Sequence, residues 1–459
     1  MIAASPAALS GGILMKFRSK FLLVLGAAVA APAAAQSSAP DDDRNVIIVT
    51  GTRLEDSEKA LQACIARNCP PDEDIDATLA HVENQFVAGD YRDARTTLLA
   101  SLKRNGDEAK DYPEPVSDLN RANARVAAHL GFENDYYSST WGILRALKKG
   151  IPEQDYRHFG ARLEIAAMTA SVKGPAAAKI VYAKLAGDAR EAGRGDIAAL
   201  AELRSIWLDY LVFPAGDAKR KLAALAQSPD PAARASAMAA RVLLARIGRN
   251  EGREDATDAL IKEMAALNLK TPTLLYSPRW ELAQQAREAD TGSDLTRMAT
   301  GTFDDKWIDV GYWVQPDGRV ADVEILRKSG ETGWARPLLA SIEGRIYSPT
   351  QPEDGGAYRI ERYTYTSRFE NRTGTRLLQR SARARVEYLD LRRPAERQQL
   401  MAGELGSGFS KRVALATLPL PCGERRVTMA PGPRQIVRGT IGPARSPEGE
   451  GFERLMEST

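Results

Sequence analysis

The apolar residues of this chain keep two rhythms. Between residues 55 and 267 they recur every third or fourth position, and between Trp307 and Phe369 they alternate every second one. A period near 3.6 lines side chains along one face of a helix, and a period of two lines them along one face of a strand. In "LEDSEKALQACIARN", Leu54, Ala60, Leu61 and Ile65 share a stripe, which "PP" at 70–71 ends. Ile75, Leu79, Val82 and Phe86 form the next stripe; Gly89-Asp90 breaks it, and Tyr91, Ala94, Leu98 and Leu102 open another. "LNRANARVAAHLG" and "DYYSSTWGILRALKKGIP" make a further pair, and Ala-rich amphipathic segments continue to residue 267.

Helix, Gly-Asp-Tyr turn, then helix with an alanine three residues on resembles one tetratricopeptide unit. The small side chain lets two helices pack closely. The spacing is too irregular for a strict repeat, so 55–267 reads as a tetratricopeptide-like array of helical hairpins, each burying its stripe on its neighbours. These alanine stripes read as core rather than as a ligand surface.

The character changes near residue 270, where "LKTPTLLYSPRW" brings in prolines, and 268–299 reads as a linker. In "DKWIDVGYWVQPDGRVADVEILRKSG", Trp307, Asp309, Gly311 and Trp313 fall on one strand face, and Ile308, Val310, Tyr312 and Val314 on the other. "QPDG" makes a tight turn with Gly318 available for positive φ. Val320, Val323, Ile325 and Leu326 belong to the returning strand. "TGWARPLLASIEGRIYSP" predicts a helix whose Leu338, Leu339 and Ile342 meet the sheet, and "AYRIERYTYTSRFE" predicts a third strand. The expected class is α+β: an N-terminal all-α helical-hairpin array followed by a small β-β-α-β domain over 300–391. From 392 to 459, Pro, Gly and Arg accumulate without periodicity, which predicts a disordered basic tail.

Composition adds little: 459 residues, 44% hydrophobic and 27% charged, are ordinary for a globular chain. The start adds more. "MKFRSK" from Met15, then "FLLVLGAAVA", then "APAAAQ" follow the charged, apolar, small-residue order of a cleavable export signal, residues 1–35, cut between Ala35 and Gln36. The alternative is a membrane anchor, but a bilayer core needs roughly 20 residues, and Phe21–Ala35 is shorter and contains Pro32. A periplasmic location is expected. Losing residues 1–35 removes Lys16, Arg18 and Lys20 and no acid, so the formal charge falls from +3 to zero. A neutral chain carries no electrostatic case for nucleic acid, and membrane contact would come only through the tail. Outside the cytoplasm disulfides persist. Cys64 and Cys69, in "CIARNCPPDED", read as a small loop closed across a helix end or as two reduced, buried thiols; Cys422 has no obvious partner.

The β-β-α-β stretch resembles the C-terminal domain of TonB-like energy transducers. The resemblance rests on "WIDVGYWVQPDGRVADVEILRKSG", on "WARPLLASIEGRIYSP" with its Tyr347-Ser348-Pro349 ending, and on "YRIERYTYTSRF", together roughly residues 300–370. It implies β-augmentation, in which the main-chain groups of an edge strand pair with a guest strand. By analogy with the family's last strand, the edge falls at Tyr358, Ile360, Arg362, Tyr363, Thr364, Tyr365, Thr366 and Phe369. Partners would be outer-membrane TonB-dependent receptors or envelope transport proteins. A working transducer keeps an uncleaved membrane helix and a long Pro-rich spanner, and here helical hairpins stand instead. The expected role is therefore a periplasmic, non-catalytic adaptor. The alternative is an envelope assembly scaffold whose helical repeats bind protein partners. Within the extended segment 36–54, Val46, Ile47, Ile48, Val49 and Thr50 look like the sequence near the mature N-terminus of many TonB-dependent receptors. That run is either a strand ligand or a plain strand or tail.

Catalytic signatures are missing. No G-x-S-x-G, P-loop or H-E-x-x-H occurs, and His81, His129 and His158 have no metal-type spacing. No catalytic residue, metal or cofactor is expected. Arg368, Arg372, Arg376, Arg380, Arg383 and Arg385 could meet phosphate-bearing lipid or polyanion, but exposed strand faces are their ordinary place.

Overall fold

Proline and glycine punctuate the helices. Pro71, Pro113 and Pro175 each stand in a first turn, where the missing N–H has no bond to make. Gly89 and Gly131 take left-handed φ and close their helices. The computed structural model describes residues 52–267, 271–280, 303–350, 356–371 and 377–391. The leader, the Val46–Thr50 run, most of the expected linker and the tail lie outside these residues. The array comprises α1 Leu54–Ala66, α2 Pro71–Ala88, α3 Tyr91–Asn105, α4 Pro113–Leu130, α5 Glu133–Gly150 and α6 Tyr156–Val172. It continues as α7 Pro175–Glu191, α8 Gly195–Val212, α9 Ala218–Ala226, α10 Arg234–Asn250 and α11 Asp258–Ala265. The predicted stripes bury against one another: Ile75, Val82 and Phe86 of α2 meet Tyr91, Ala94 and Leu98 of α3 in one core. A second core joins α6 to α10 through Leu163, Ala178, Leu185, Ala201 and Leu243. Among the described residues, no helix is long and apolar enough to cross a membrane.

The second part holds β1 Leu274–Tyr276, β2 Lys306–Val314, β3 Val320–Ser329, α12 Arg336–Glu343, β4 Ile346–Tyr347, β5 Ala357–Asn371 and β6 Leu378–Asp390. The α+β class expected from the sequence is what the chain adopts. Four strands form one antiparallel sheet in the order β3-β2-β5-β6, and β1 pairs with β4 apart from it. Ile308, Val310, Tyr312 and Val314 are fully buried against Trp334, Leu338 and Ile342, as the alternation of β2 requires. Asp322, at φ 53°, sits where the β2–β3 register shifts, so a bulge interrupts that ladder.

On the opposite face the array covers β5, β6 and the adjoining part of β2, while Glu324 and Arg327 of β3 stay exposed. The described helices and strands belong to one compact unit. The ends of α2 and α4 abut β2, β5 and β6, while far along the chain Arg246 of α10 donates to Leu275 O at 3.0 Å and Leu274 O at 2.7 Å in β1. Gly131 shows how close the contact is. At φ +77°, a Cβ there would lie 2.0 Å from Ser367 O, and Gly131 O accepts from Phe369 N at 3.0 Å. Gly131→Ala is therefore expected to cost about 2 kcal/mol or more in urea denaturation. Gly106→Ala, where nothing lies within 4 Å, should be neutral or slightly stabilising.

Candidate functional site

Strand β5 is not an edge. It pairs with β2 over Ala357–Tyr365 and with β6 over Glu361–Asn371. Arg362, Tyr363, Thr364 and Tyr365 therefore have strands on both sides, and Thr366 and Phe369 have β6. Tyr358 and Ile360 pair with Trp313 and Gly311 of β2 and precede the β6 ladder, although Ile360 O accepts from Leu391 N at 3.0 Å. The edge expected at Tyr358–Phe369 is thus corrected. The physical reason is a further strand: β6, "LQRSARARVEYLD", takes the main-chain groups of Glu361–Asn371 on the side away from β2. Among the described residues the sheet edges are β3 and β6.

On the array face, Arg362 has no exposed surface and forks onto the equally buried Asp309, with Nη2 2.9 Å from Oδ2 and Nε also donating to Oδ1. Its remaining protons go to Phe86 O and Val87 O at the end of α2, both at 2.7 Å, and to Tyr91 Oη at 3.3 Å. The guanidinium lies 3.8 Å from the centroid of Trp307. The last carbonyls of a helix have no intrahelical partner and carry the negative end of its dipole, so a cation is favoured there. The device recurs. Arg380 donates to Leu130 O at 2.8 Å and Arg385 to Ala128 O in the last turn of α4, and Arg368 reaches Ser171 O at 2.8 Å in α6. These three arginines are docked, which corrects the exposed-face reading; Arg383 is exposed, and Arg372 and Arg376 lie outside the described residues. Thr364 Oγ1 meets Tyr91 Oη at 3.0 Å and His129 Nδ1 at 2.9 Å, and Phe369 stacks on Phe132. Burial, helped by Arg125, Arg385 and Arg362, pushes His129 well below its usual pKa and keeps it neutral.

On the other face the buried Glu361 carboxylate accepts from Tyr312 Oη at 2.8 Å, Arg345 Nη1 at 2.8 Å, Tyr388 Oη at 3.1 Å and Tyr363 Oη. Arg345 also donates to Tyr312 Oη and Tyr363 Oη, each at 2.7 Å. Burial raises the Glu361 pKa, but Arg345 and the tyrosine hydroxyls outweigh it and hold the carboxyl below its usual range. With both oxygens committed, this cluster is a structural joint rather than an acid–base site.

Among the described residues two surfaces face solvent in a way that could admit a partner. The outer side of β6 faces no described strand and exposes Leu378 (53%), Arg383 and Tyr388 (43%). The β3 edge is less receptive: the Asp322 bulge and the exposed Asp322, Glu324, Arg327 and Lys328 discourage strand addition. A groove of about 470 Å³ also opens between α1 and α3, floored by α2. Cys64 and Cys69 form a disulfide across the α1–α2 turn, with Cα atoms 5.2 Å apart. Glu73 lies within ligand reach of both sulfurs, but it pairs with Arg67.

No protein-family model and no curated protein matches the chain. Among solved structures, the crystal structure of BtubC (BKLC) from P. vanneervenii is similar at a TM-score of 0.36 and 15% identity, over 50% of this chain and 95% of that one. A likeness at that level carries no functional argument.

Sequence reasoning missed β6, although Ala382, Ala384, Val386 and Tyr388 alternate with Arg383, Arg385, Glu387 and Leu389. It also missed Arg345, Glu361, Tyr91 and His129, whose partners lie far off in sequence. Arg362→Met should cost about 3–5 kcal/mol in urea denaturation by leaving Asp309 buried and unpaired, whereas exposed Arg383→Met should stay within about 0.5 kcal/mol. Because Glu361 is depressed in the folded state, its contribution is complete above the unfolded value near 4.5 and is lost as pH falls below it. Glu361→Gln is expected to flatten that acid limb of stability. It will not abolish the limb, because Asp74, where burial is outweighed by Arg104 and Asn105, is depressed as well.

Proposed function

We propose that the protein is a non-catalytic periplasmic adaptor that captures extended peptide segments of outer-membrane receptors or envelope transport proteins by strand addition. The carrying observation is the outer edge of β6, 13 residues long, with no described strand beyond it. A guest strand there would gain main-chain hydrogen bonds along its length, and side chains on either face of the strand, such as the exposed Arg383, would set which guests fit. Arg380 and Arg385 fasten β6 to the end of α4, so the edge is held in place before binding and less ordering entropy is lost. The TonB-like motifs and the export signal support the same reading. The 470 Å³ groove favours a second reading, in which the array binds partners and the protein is an assembly scaffold.

A peptide of the sequence NVIIVTGTRL, titrated into isotope-labelled protein, should move amide signals along β6. Two versions, N-methylated at the odd and at the even amides, test the mechanism. Only one set of amides faces a sheet edge, so one version should bind at least about tenfold more weakly than the other. Equal binding by both, or shifts confined to α1–α3, would take the site off β6.

A further inference from the structure

We infer that the outer edge of β6 takes residues 412–418 of its own chain as a tethered guest strand, an inference that rests on the open-edge reading above and adds what regulates that edge. The direction of the main-chain groups comes first. β5 and β6 pair in one unbroken register from Glu361↔Asp390 to Ser367↔Ala384, and just beyond it Leu391 N donates to Ile360 O at 3.0 Å. In an antiparallel ladder, alternate residues turn both main-chain groups toward the same neighbour. Leu391, Leu389, Glu387 and Arg385 therefore face β5, while Asp390, Tyr388, Val386 and Ala384 present their N–H and C=O groups outward. Among the described residues no strand meets them. Their side chains lie on the α12 face, where Val386 is buried in the sheet core and Ala384 packs beside it.

The chain supplies the match. About 20 residues after β6 ends comes "KRVALATLP", residues 411–419, a run that lies outside the described residues. Returning antiparallel along β6, it sets Arg412 opposite Asp390, Ala414 opposite Tyr388, Ala416 opposite Val386 and Leu418 opposite Ala384. Opposite charges meet, a small side chain meets the large one, and a large one meets the small. A register shifted by one residue fits worse. It either crowds Val413 and Leu415 against Tyr388 and Val386, or turns Pro419, which has no N–H, toward Ala384. In the matched register Pro419 ends the pairing with its nitrogen toward solvent, as an edge strand allows. Closing a loop of this length costs little more than closing a short one. The tether then holds the guest at an effective concentration of the order of millimolar. A foreign segment has to displace it, which sets a threshold affinity for capture.

Amide hydrogen exchange in the full chain reads the edge directly. The amides of Ala384, Val386, Tyr388 and Asp390 should exchange at least about tenfold more slowly than unstructured ones. Because the guest is tethered, that protection should be the same at about 5 μM and about 500 μM protein. Ala416→Pro deletes a donor aimed at β6 and should release the four amides. Thr417→Pro deletes one aimed at solvent and should leave them protected. Unprotected amides in the unaltered chain, or prolines that act equally or in the reverse order, would overturn the assignment. Protection that rises with protein concentration would overturn it too, by giving the edge to a second copy. The NVIIVTGTRL peptide separates this failure from a failure of peptide capture. If both readings hold, the peptide binds the Ala416→Pro protein about tenfold or more tighter than the unaltered one. If only capture holds, the amides are open and the two proteins bind it equally. If only the tethered strand holds, the amides are protected and neither protein binds it.

Discussion

Everything in the described structure turns on one guanidinium. Arg362 has no water to solvate it, so every proton must find an acceptor within the protein. Asp309 supplies charge, and the last turn of α2 supplies the carbonyls of Val87 and of Phe86, the latter shared with Gly89 N. A buried ion pair of this kind is weak evidence for stability, because desolvation offsets its attraction. Its value here is positional. Arg362, Arg380 and Arg385 together tie the sheet to the ends of α2 and α4.

The sheet can accept this because its two faces were assigned to different partners by simple alternation. Odd and even positions of β5 send Glu361, Tyr363 and Tyr365 toward α12, and Arg362, Thr364 and Thr366 toward the array. Both faces are covered, although the strand reads as half polar. Covering both faces leaves the rim as the place where the sheet can still meet another chain.

Much of this was legible in the amino-acid order. Helices α1–α3, the two faces of β2, the Gly318 turn and α12 all follow from period and punctuation, because each depends on neighbours a few residues away. The rest depends on neighbours hundreds of residues away. Asp309 and Arg362 look like solvent-facing strand residues until the carbonyls of Phe86 and Val87 are placed beside them. Strand β6 was hidden by its arginines, which suggest solvent although Arg380 and Arg385 reach the end of α4. The edge inferred by analogy at β5 failed for the same reason: nothing local to residues 357–369 says that another strand follows.

The contact between Arg362 and Phe86 spans 276 positions, and that separation has a consequence for how the molecule is made. A ribosome delivers α2, α4 and α6 long before β5 and β6 exist, so the three helix ends must wait for their arginine donors while the rest of the chain emerges. Bringing such distant segments together is slow, because the loop between them has to be closed before any bond rewards it. The nascent array is a half-built object until its final strands arrive, and a chaperone would have its longest task during that interval.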